Sequence, residues 1–352
     1  MNVTQNVAGI ENVRKSRYAP RTMKTIDFDY HLPPRLITQT PASPRDSSRV
    51  LVLDRTTGVI THHRFFEIGK FLRPGDLMVV NDTKVFHARL HADGMEIFLL
   101  RSEGSHWLAL AKPGRKLARG SVVIISPGTT CRVVEKRQGG TIVIDFGMSP
   151  EDVFALADRI GEVPLPPYIH STATNDVRRG INYQTVYAKE VGSAAAPTAG
   201  FHFTPELIDQ LKSSGINFST VTLHVGLGTF RPIKTDMLEA HHMHEEWMDV
   251  PNETTAAIEE TKRRGGRVIA VGTTTVRALE SGVHHGFTNV FITPGYRFKI
   301  VDALITNFHL PKSTLLVLVS AFAGRDLIQK AYAEAIKHGY RFYSFGDAML
   351  IV

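Results

Sequence analysis

The chain has 352 residues, 43% hydrophobic and 21% charged, which excludes collagen-like and wholly disordered classes and leaves room for about two domains. Lys and Arg total 41 against 34 Asp and Glu, a net charge of +7 that suits a polyanionic partner but is also common among ordinary soluble enzymes. One cysteine, Cys131, excludes an intramolecular disulfide and any Cys-rich zinc module.

Residues 1–22 carry Arg14, Lys15, Arg17 and Arg21 against Glu11 and few large apolar residues, which predicts a basic, poorly ordered tail. Met23 is an alternative translation start, and an Arg-rich transit peptide is an alternative reading of the tail. Short β-rich runs follow at Val50–Leu53 and Leu77–Val80, punctuated by turn signals at 56–58 and 73–76. From 83 to 146 every apolar run is short, as in Glu96–Leu100, His106–Ala111, Ser121–Ile125 and Thr141–Phe146. Repeated short strands without helical periodicity predict a small antiparallel β-barrel or sandwich. The proline-rich stretch 162–168 reads as an extended strap leaving that unit.

Beyond Tyr183 the pattern alternates. Thr204-Pro205-Glu206 starts a helix whose apolar face is Leu207, Ile208 and Leu211, and Gly215 ends it. A strand over 218–225, a helix over 253–264, a strand over 267–271, a helix over 275–281 and a strand over 289–292 follow. Two helices, 315–323 and 326–337, come last. This alternation predicts a mainly parallel sheet covered by helices. The apolar stretch 314–323 is about half of the roughly 20 residues that a membrane span needs. With no signal-peptide core near the N-terminus, the expectation is a soluble cytoplasmic protein without membrane association.

Several motifs fail. Gly226-Leu227-Gly228 lacks the third glycine of a dinucleotide turn, because Arg231-Pro232 stands there, and no Walker-type loop occurs. His241-x-x-His244 lacks the spacing and ligand count of a zinc site, so no metal is expected. Three segments remain. The small-residue run Gly192–Gly200 either lets a flat ligand lie against its backbone or is a tightly packed core loop. Gly272–Arg277 places hydroxyls and amides at a strand-to-helix turn, where they suit a carboxylate or phosphate, or where one threonine simply caps the helix. Arg277 and Glu280, three residues apart, could form a surface pair. Thr306-Asn307-Phe308-His309 sets polar groups among apolar ones, and buried polar groups need partners.

Taken together these segments resemble the S-adenosylmethionine:tRNA ribosyltransferase-isomerases of queuosine biosynthesis. The stretches that carry the resemblance include Gly192–Thr204, VTLHVGLGTFRP at 221–232, His241-x-Met243-His244-x-Glu246, VIAVGTTTVRALES at 268–281, VDALITNFHLPKSTL at 301–315 and YRFYSFGDAMLI at 340–351. Earlier matches are Leu36–Val52, Pro74–Leu90, KPGRK at 112–116 and Gly161–Ile169, so the resemblance runs from about Met23 to Val352. Trp247 stands where the family has tyrosine, Ala194 for valine and Phe201 for leucine, and the segment 281–288 is short.

The resemblance implies a larger α/β domain, residues 23–82 and 150–352, with a small antiparallel β-barrel inserted at 83–149. It implies transfer and isomerisation of the ribosyl part of S-adenosylmethionine onto 7-aminomethyl-7-deazaguanine at the tRNA wobble position. Epoxyqueuosine forms, and adenine and methionine leave. S-adenosylmethionine is then a co-substrate, with no permanently bound cofactor, in a cytoplasmic monomer. The alternative is a catalytically divergent tRNA-binding paralogue. A base must take a proton beside the sulfonium, and His202, His244, Glu246 and His309 are the candidates. Thr198, Thr273, Thr274 and Arg277 are expected to bind S-adenosylmethionine, with Asp302 and Asn307 reading polar edges of its base or ribose. Lys112, Arg115 and Lys116, with Lys262, Arg263 and Arg264, are expected to contact tRNA phosphates or to form solvated charged faces.

Overall fold

A computed structural model describes residues 22–92, 94–137, 140–166, 168–169, 183–226 and 232–352. The basic tail, apart from Thr22, and the 227–231 part of the Gly226–Pro232 motif lie outside them. In chain order the first strands are β1 (Arg49–Leu53), β2 (Ile60–Arg64), β3 (Leu77–Asn81) and β4 (Thr83–Val85). Six more follow: β5 (Arg89–Ala92), β6 (Met95–Glu103), β7 (His106–Lys112), β8 (Val122–Ser126), β9 (Thr129–Lys136) and β10 (Thr141–Asp145). After helix α1 (Pro150–Ile160) come β11 (Glu190–Ser193), α2 (Pro205–Ser213), β12 (Asn217–Leu223), β13 (Glu246–Asp249) and α3 (Asn252–Arg263). The remaining elements are β14 (Val268–Val271), α4 (Thr273–Glu280), β15 (His285–Thr288), β16 (Ala303–Asn307), α5 (Thr314–Ala323), α6 (Arg325–Lys337) and β17 (Ala348–Ile351).

Nine strands form one sheet in the order β15-β13-β12-β3-β14-β16-β17-β1-β2. The expected mainly parallel sheet is mixed. Parallel pairing joins β12, β3, β14 and β16 at the centre, and β17 to β1. The flanking pairs are antiparallel, because β13 and β15 fold back on β12, β2 returns from β1, and β17 runs back against β16. The centre is legible in the side chains. Residues of β3, β14 and β16 are buried throughout, as strands covered on both faces must be. Successive residues alternate faces. Leu77, Val79, Val268, Ala270 and Leu304 pack with residues of α3, α4, α5 and α6, whereas Met78, Val80, Ile269, Val271 and Ile305 pack with Leu207 and Leu211 of α2 and with Phe65 and Ile68. Burying each such aliphatic side chain contributes about 1.5–3 kcal/mol.

Strands β5 to β10 make a second sheet, order β5-β6-β7-β10-β9-β8, antiparallel throughout. Its outer strands β5 and β8 approach each other, so the sheet is nearly closed. Alternation in β9, where Thr129, Cys131 and Val133 are buried and Thr130 and Arg132 exposed, is the signature of a one-sided core. That core receives α1, whose Phe154 meets Trp107 edge-on at 5.1 Å. No helix was expected there, although Ser149 caps α1 by accepting from the Asp152 amide and Pro150 occupies its first turn. The strand expected at 289–292 falls instead at β15, one turn earlier, where it pairs with β13.

Candidate functional site

Strands β12, β3, β14 and β16 are parallel, so their carboxyl ends share one edge of the sheet. Ligands of open α/β sheets lie outside that edge. A cleft opens there, walled by Ala196–Ala199, by Gly272–Thr274 at the start of α4, and by Thr306–Leu310 after β16, with Tyr343 and Ser344 opposite.

The small-residue run has two sides. From behind it is packed: Ala194 and Ala195 are buried, Val225 donates to Ser193 Oγ at 2.9 Å, and a Cβ on Gly200 would lie 2.1 Å from the Tyr187 hydroxyl. In front, Pro197, Thr198 and Ala199 line the cleft. At α4 no threonine caps the helix. The cap position is Gly272, at φ 95°, with no side-chain hydrogen bond, so the cleft meets a helix start whose first amides lack a side-chain cap. Thr274 accepts from Asn81 Nδ2 at 3.2 Å, and Thr275 turns away to donate to the Val271 carbonyl at 2.7 Å.

The four candidate bases separate. His309 lines the cleft, its Nε2 2.8 Å from Thr306 Oγ1. Burial pushes its pKa down to about 3, so the ring is neutral at physiological pH. His202 sits one layer behind, wedged between Ser48 Oγ at 2.8 Å from Nδ1 and Asn307 Nδ2 at 3.3 Å from Nε2. Asn307 Nδ2 also donates to the Tyr343 carbonyl at 3.0 Å, which fixes the amide orientation and makes His202 Nε2 the acceptor. His202 is therefore neutral too, pushed down to about 4 by burial, with Asp347 opposing the shift. Through Asn307, whose Oδ1 lies 3.5 Å from Thr198 Oγ1, His202 sets the cleft wall without lining it. Glu246 is buried in an ion pair with Arg277 and accepts the Gly226 amide at 2.9 Å. His244 is exposed.

Among the expected binders of S-adenosylmethionine, Thr198, Thr273, Thr274 and Asn307 are brought together in the cleft. Arg277 is not. Its guanidinium is directed to Glu246 and to the Val290 carbonyl, and it does not pair with Glu280. Glu280 instead accepts from the amides of Lys299, Ile300 and Val301 and from the Tyr296 hydroxyl, holding a loop that no strand pairs. Asp302 stands at the amino end of β16, five residues and about 16 Å of strand from Asn307. Its carboxylate accepts from the Val268 amide at 2.8 Å and from Lys262 at 2.6 Å. Residues that the sequence reading gave no role are Asn81, Ser48 and Tyr343. Asn81 was the findable one, a polar residue ending a buried strand.

The two basic clusters also differ. Lys112 and Arg115 are exposed and form no ion pair among the described residues, while the Lys116 side chain lies outside them. Lys262, Arg263 and Arg264 end α3 near the amino ends of the strands, Lys262 tied to Asp302 and both arginines to Glu260. Among the described residues, His241 and His244 belong to no group able to hold a metal ion.

Residues 25–351 match the family model described as queuosine biosynthesis protein. S-adenosylmethionine:tRNA ribosyltransferase-isomerases of Moorella thermoacetica and Symbiobacterium thermophilum are each 50% identical to the chain, over 346 and 347 residues, which is 94% of this chain and all of theirs. The crystal structure of S-adenosylmethionine tRNA ribosyltransferase from Thermotoga maritima superposes with a TM-score of 0.55 at 40% identity, covering 93% of this chain and all of that one. The chain belongs to the queuosine biosynthesis protein family.

Proposed function

We propose that the protein transfers and isomerises the ribosyl moiety of S-adenosylmethionine onto 7-aminomethyl-7-deazaguanine at the tRNA wobble position, giving epoxyqueuosine with release of adenine and methionine. The observation that carries this reading is the cleft at the carboxyl ends of the parallel strands, which gathers Thr198, Thr273, Thr274, Asn307 and His309, in a chain that matches its relatives over their whole length.

The α4 start offers amides and a dipole to the methionine carboxylate of S-adenosylmethionine. The backbone of 196–199 is small enough for the adenosine to lie against, with the Asn307 amide, fixed by Tyr343 and His202, reading a polar edge. Of the four candidate bases His309 is the one that lines the cleft, and its position there makes it the group to take a proton beside the sulfonium. His202 acts as a positioning residue. Glu246 and Arg277 hold the approach to the Gly226 turn.

The nearly closed six-stranded sheet, residues 83–149 with its connections, is the inserted unit, and 23–82 with 150–352 form the α/β body. Lys112, Arg115 and Lys116 on the insert meet tRNA phosphates. The enzyme acts in the cytoplasm as a monomer with two substrates, S-adenosylmethionine and tRNA.

Incubation with S-adenosylmethionine and tRNA carrying the precursor base, followed by mass identification of products, tests this. Adenine, methionine and an epoxyqueuosine nucleoside support it. S-adenosylhomocysteine points to a methyltransferase, and tRNA binding without adenine release to an inert paralogue.

A further inference from the structure

At the outer edge of the nine-stranded sheet, three side chains from separate segments converge. His62 comes from edge strand β2, Glu334 from α6, and His338 from the residue that ends α6. One carboxylate oxygen of Glu334 lies 2.7 Å from His338 Nε2 and 3.9 Å from His62 Nε2. The three donor atoms fall within 4.8 Å of one another, and the two imidazoles are stacked with centroids 4.5 Å apart.

His62 is supported from behind. Its Nδ1 is 2.9 Å from the Tyr340 hydroxyl, and that hydroxyl donates to the Val50 carbonyl at 3.4 Å. The Tyr340 hydroxyl thus holds the ring at Nδ1 and leaves Nε2 as the atom that faces Glu334. A hydrogen bond fixing one imidazole nitrogen so that the other can ligate is the usual outer support of a metal-bound histidine.

We propose that His62, Glu334 and His338 bind a divalent transition-metal ion of borderline softness, Zn2+ in the first instance, which staples edge strand β2 to α6. Two imidazoles and a carboxylate are a zinc donor set that leaves one position for water. Zinc bonds of about 2.0–2.1 Å in a tetrahedron set ligand atoms roughly 3.4 Å apart. The present separations, 2.7 and 3.9 Å, straddle that value, so small rotations of partly exposed side chains suffice. Lys337, 3.7 Å from the other Glu334 oxygen, and Arg49, stacked 4.2 Å over the Tyr340 ring, oppose a cation and weaken its binding. Strands β17 and β1 separate this site from the cleft, so the proposal stands apart from the proposed activity.

The test uses the full chain, stripped with chelator and titrated with ZnCl2 by calorimetry and by thermal melting. The expected result is one saturable site, with Tm rising by roughly 1–2 °C for about 1 kcal/mol of linked binding. Binding weakens at least about tenfold, an order expected for loss of a ligand or its support, in Glu334→Gln and in the double variant His62→Ala/His338→Ala, and persists in His242→Ala. Metal-free melting of each variant checks its fold. Absence of saturable binding at micromolar Zn2+, or binding that survives both sets of substitutions, overturns the proposal.

Discussion

The two ends of the same parallel strands use polar residues in opposite ways. At the amino ends, charges close on one another. Asp76 takes the Arg267 guanidinium at 2.6 Å and the Arg73 amide at 2.8 Å, and Asp302 takes Lys262 and the Val268 amide. At the carboxyl ends, the Glu246–Arg277 pair apart, the polar groups that line the cleft are neutral and only partly engaged. Asn307, His309 and the uncapped start of α4 leave hydrogen-bonding capacity facing the cleft. A polar residue at a strand end therefore acquires its meaning from which end it occupies. One end is tied off by ion pairs, and the other keeps donors and acceptors for a ligand.

Substituting across the two ends gives the largest expected contrast. His309→Gln keeps a polar group of similar reach but removes the imidazole, and turnover should fall by about 10²–10⁴-fold, the range for losing a general base. Asp302→Asn, at the other end, should leave turnover within about twofold while costing roughly 1–3 kcal/mol of stability through the weakened acceptor. Equal losses of turnover in both variants, measured at saturating S-adenosylmethionine, would erase the distinction.

The buried Glu246–Arg277 pair tests a related point, since it lies on the carboxyl side, at the Gly226 turn beyond β12, yet is closed as an ion pair. Glu246→Gln leaves Arg277 buried without its counter-charge, and denaturant unfolding should register a loss of about 3–5 kcal/mol. A variant as stable as the parent would show that the pair is not closed to water.

Acid sensitivity should follow the neutral histidines at the carboxyl side. His202 and His224 are pushed down to about 4 and His309 to about 3, chiefly by burial. Above about pH 6.5 histidines are neutral in both native and unfolded chains, and the folding equilibrium is indifferent to them. Below it the unfolded chain takes up protons that the native state refuses. Stability then falls with pH, by on the order of 1 kcal/mol per histidine per unit, until the native values are reached. Urea midpoints at about pH 7.5 and 5.5 should show that fall, and His309→Gln should shrink it by about one third.

The smallest effect concerns the basic clusters. Neutralising Lys112 and Arg115 should lower the slope of log affinity for tRNA against log salt by about 1–2. Arg263→Gln should leave it nearly unchanged, because Glu260 already neutralises that guanidinium. The reverse order would move the tRNA footprint to the amino ends of the strands.

Much of this was readable in the residues. The buried runs of β3 and β14, the Thr204-Pro205 helix start and the short strands between 96 and 145 appear where periodicity put them. So do the segments that wall the cleft, because small residues and uncapped helix starts announce themselves locally. Pairing direction did not, and β16 and β17, which were not expected as strands, meet antiparallel and make the sheet mixed. Nor did the partners of Arg277, Glu280 and Asp302. Their sequence neighbours suggest pairs three residues away, whereas Glu246, the 299–301 amides and Lys262 reach them only through the tertiary fold. His309 and His202 are equivalent as letters, and only burial behind Asn307 ranks one as lining and the other as support.

Strand order also dictates a schedule. Strand β3 lies between β12 and β14, which begin at Asn217 and Val268. At about 5–20 residues per second on the ribosome, five apolar-rich residues wait on the order of 10 s for their first lateral neighbour. Strands β5 to β10 are synthesised within that interval and find their partners among themselves. The strand that delivers Asn81 to the cleft is thus an early-made, late-paired piece of the molecule. Its exposure to misassociation is greatest while the neighbouring β unit is already able to close.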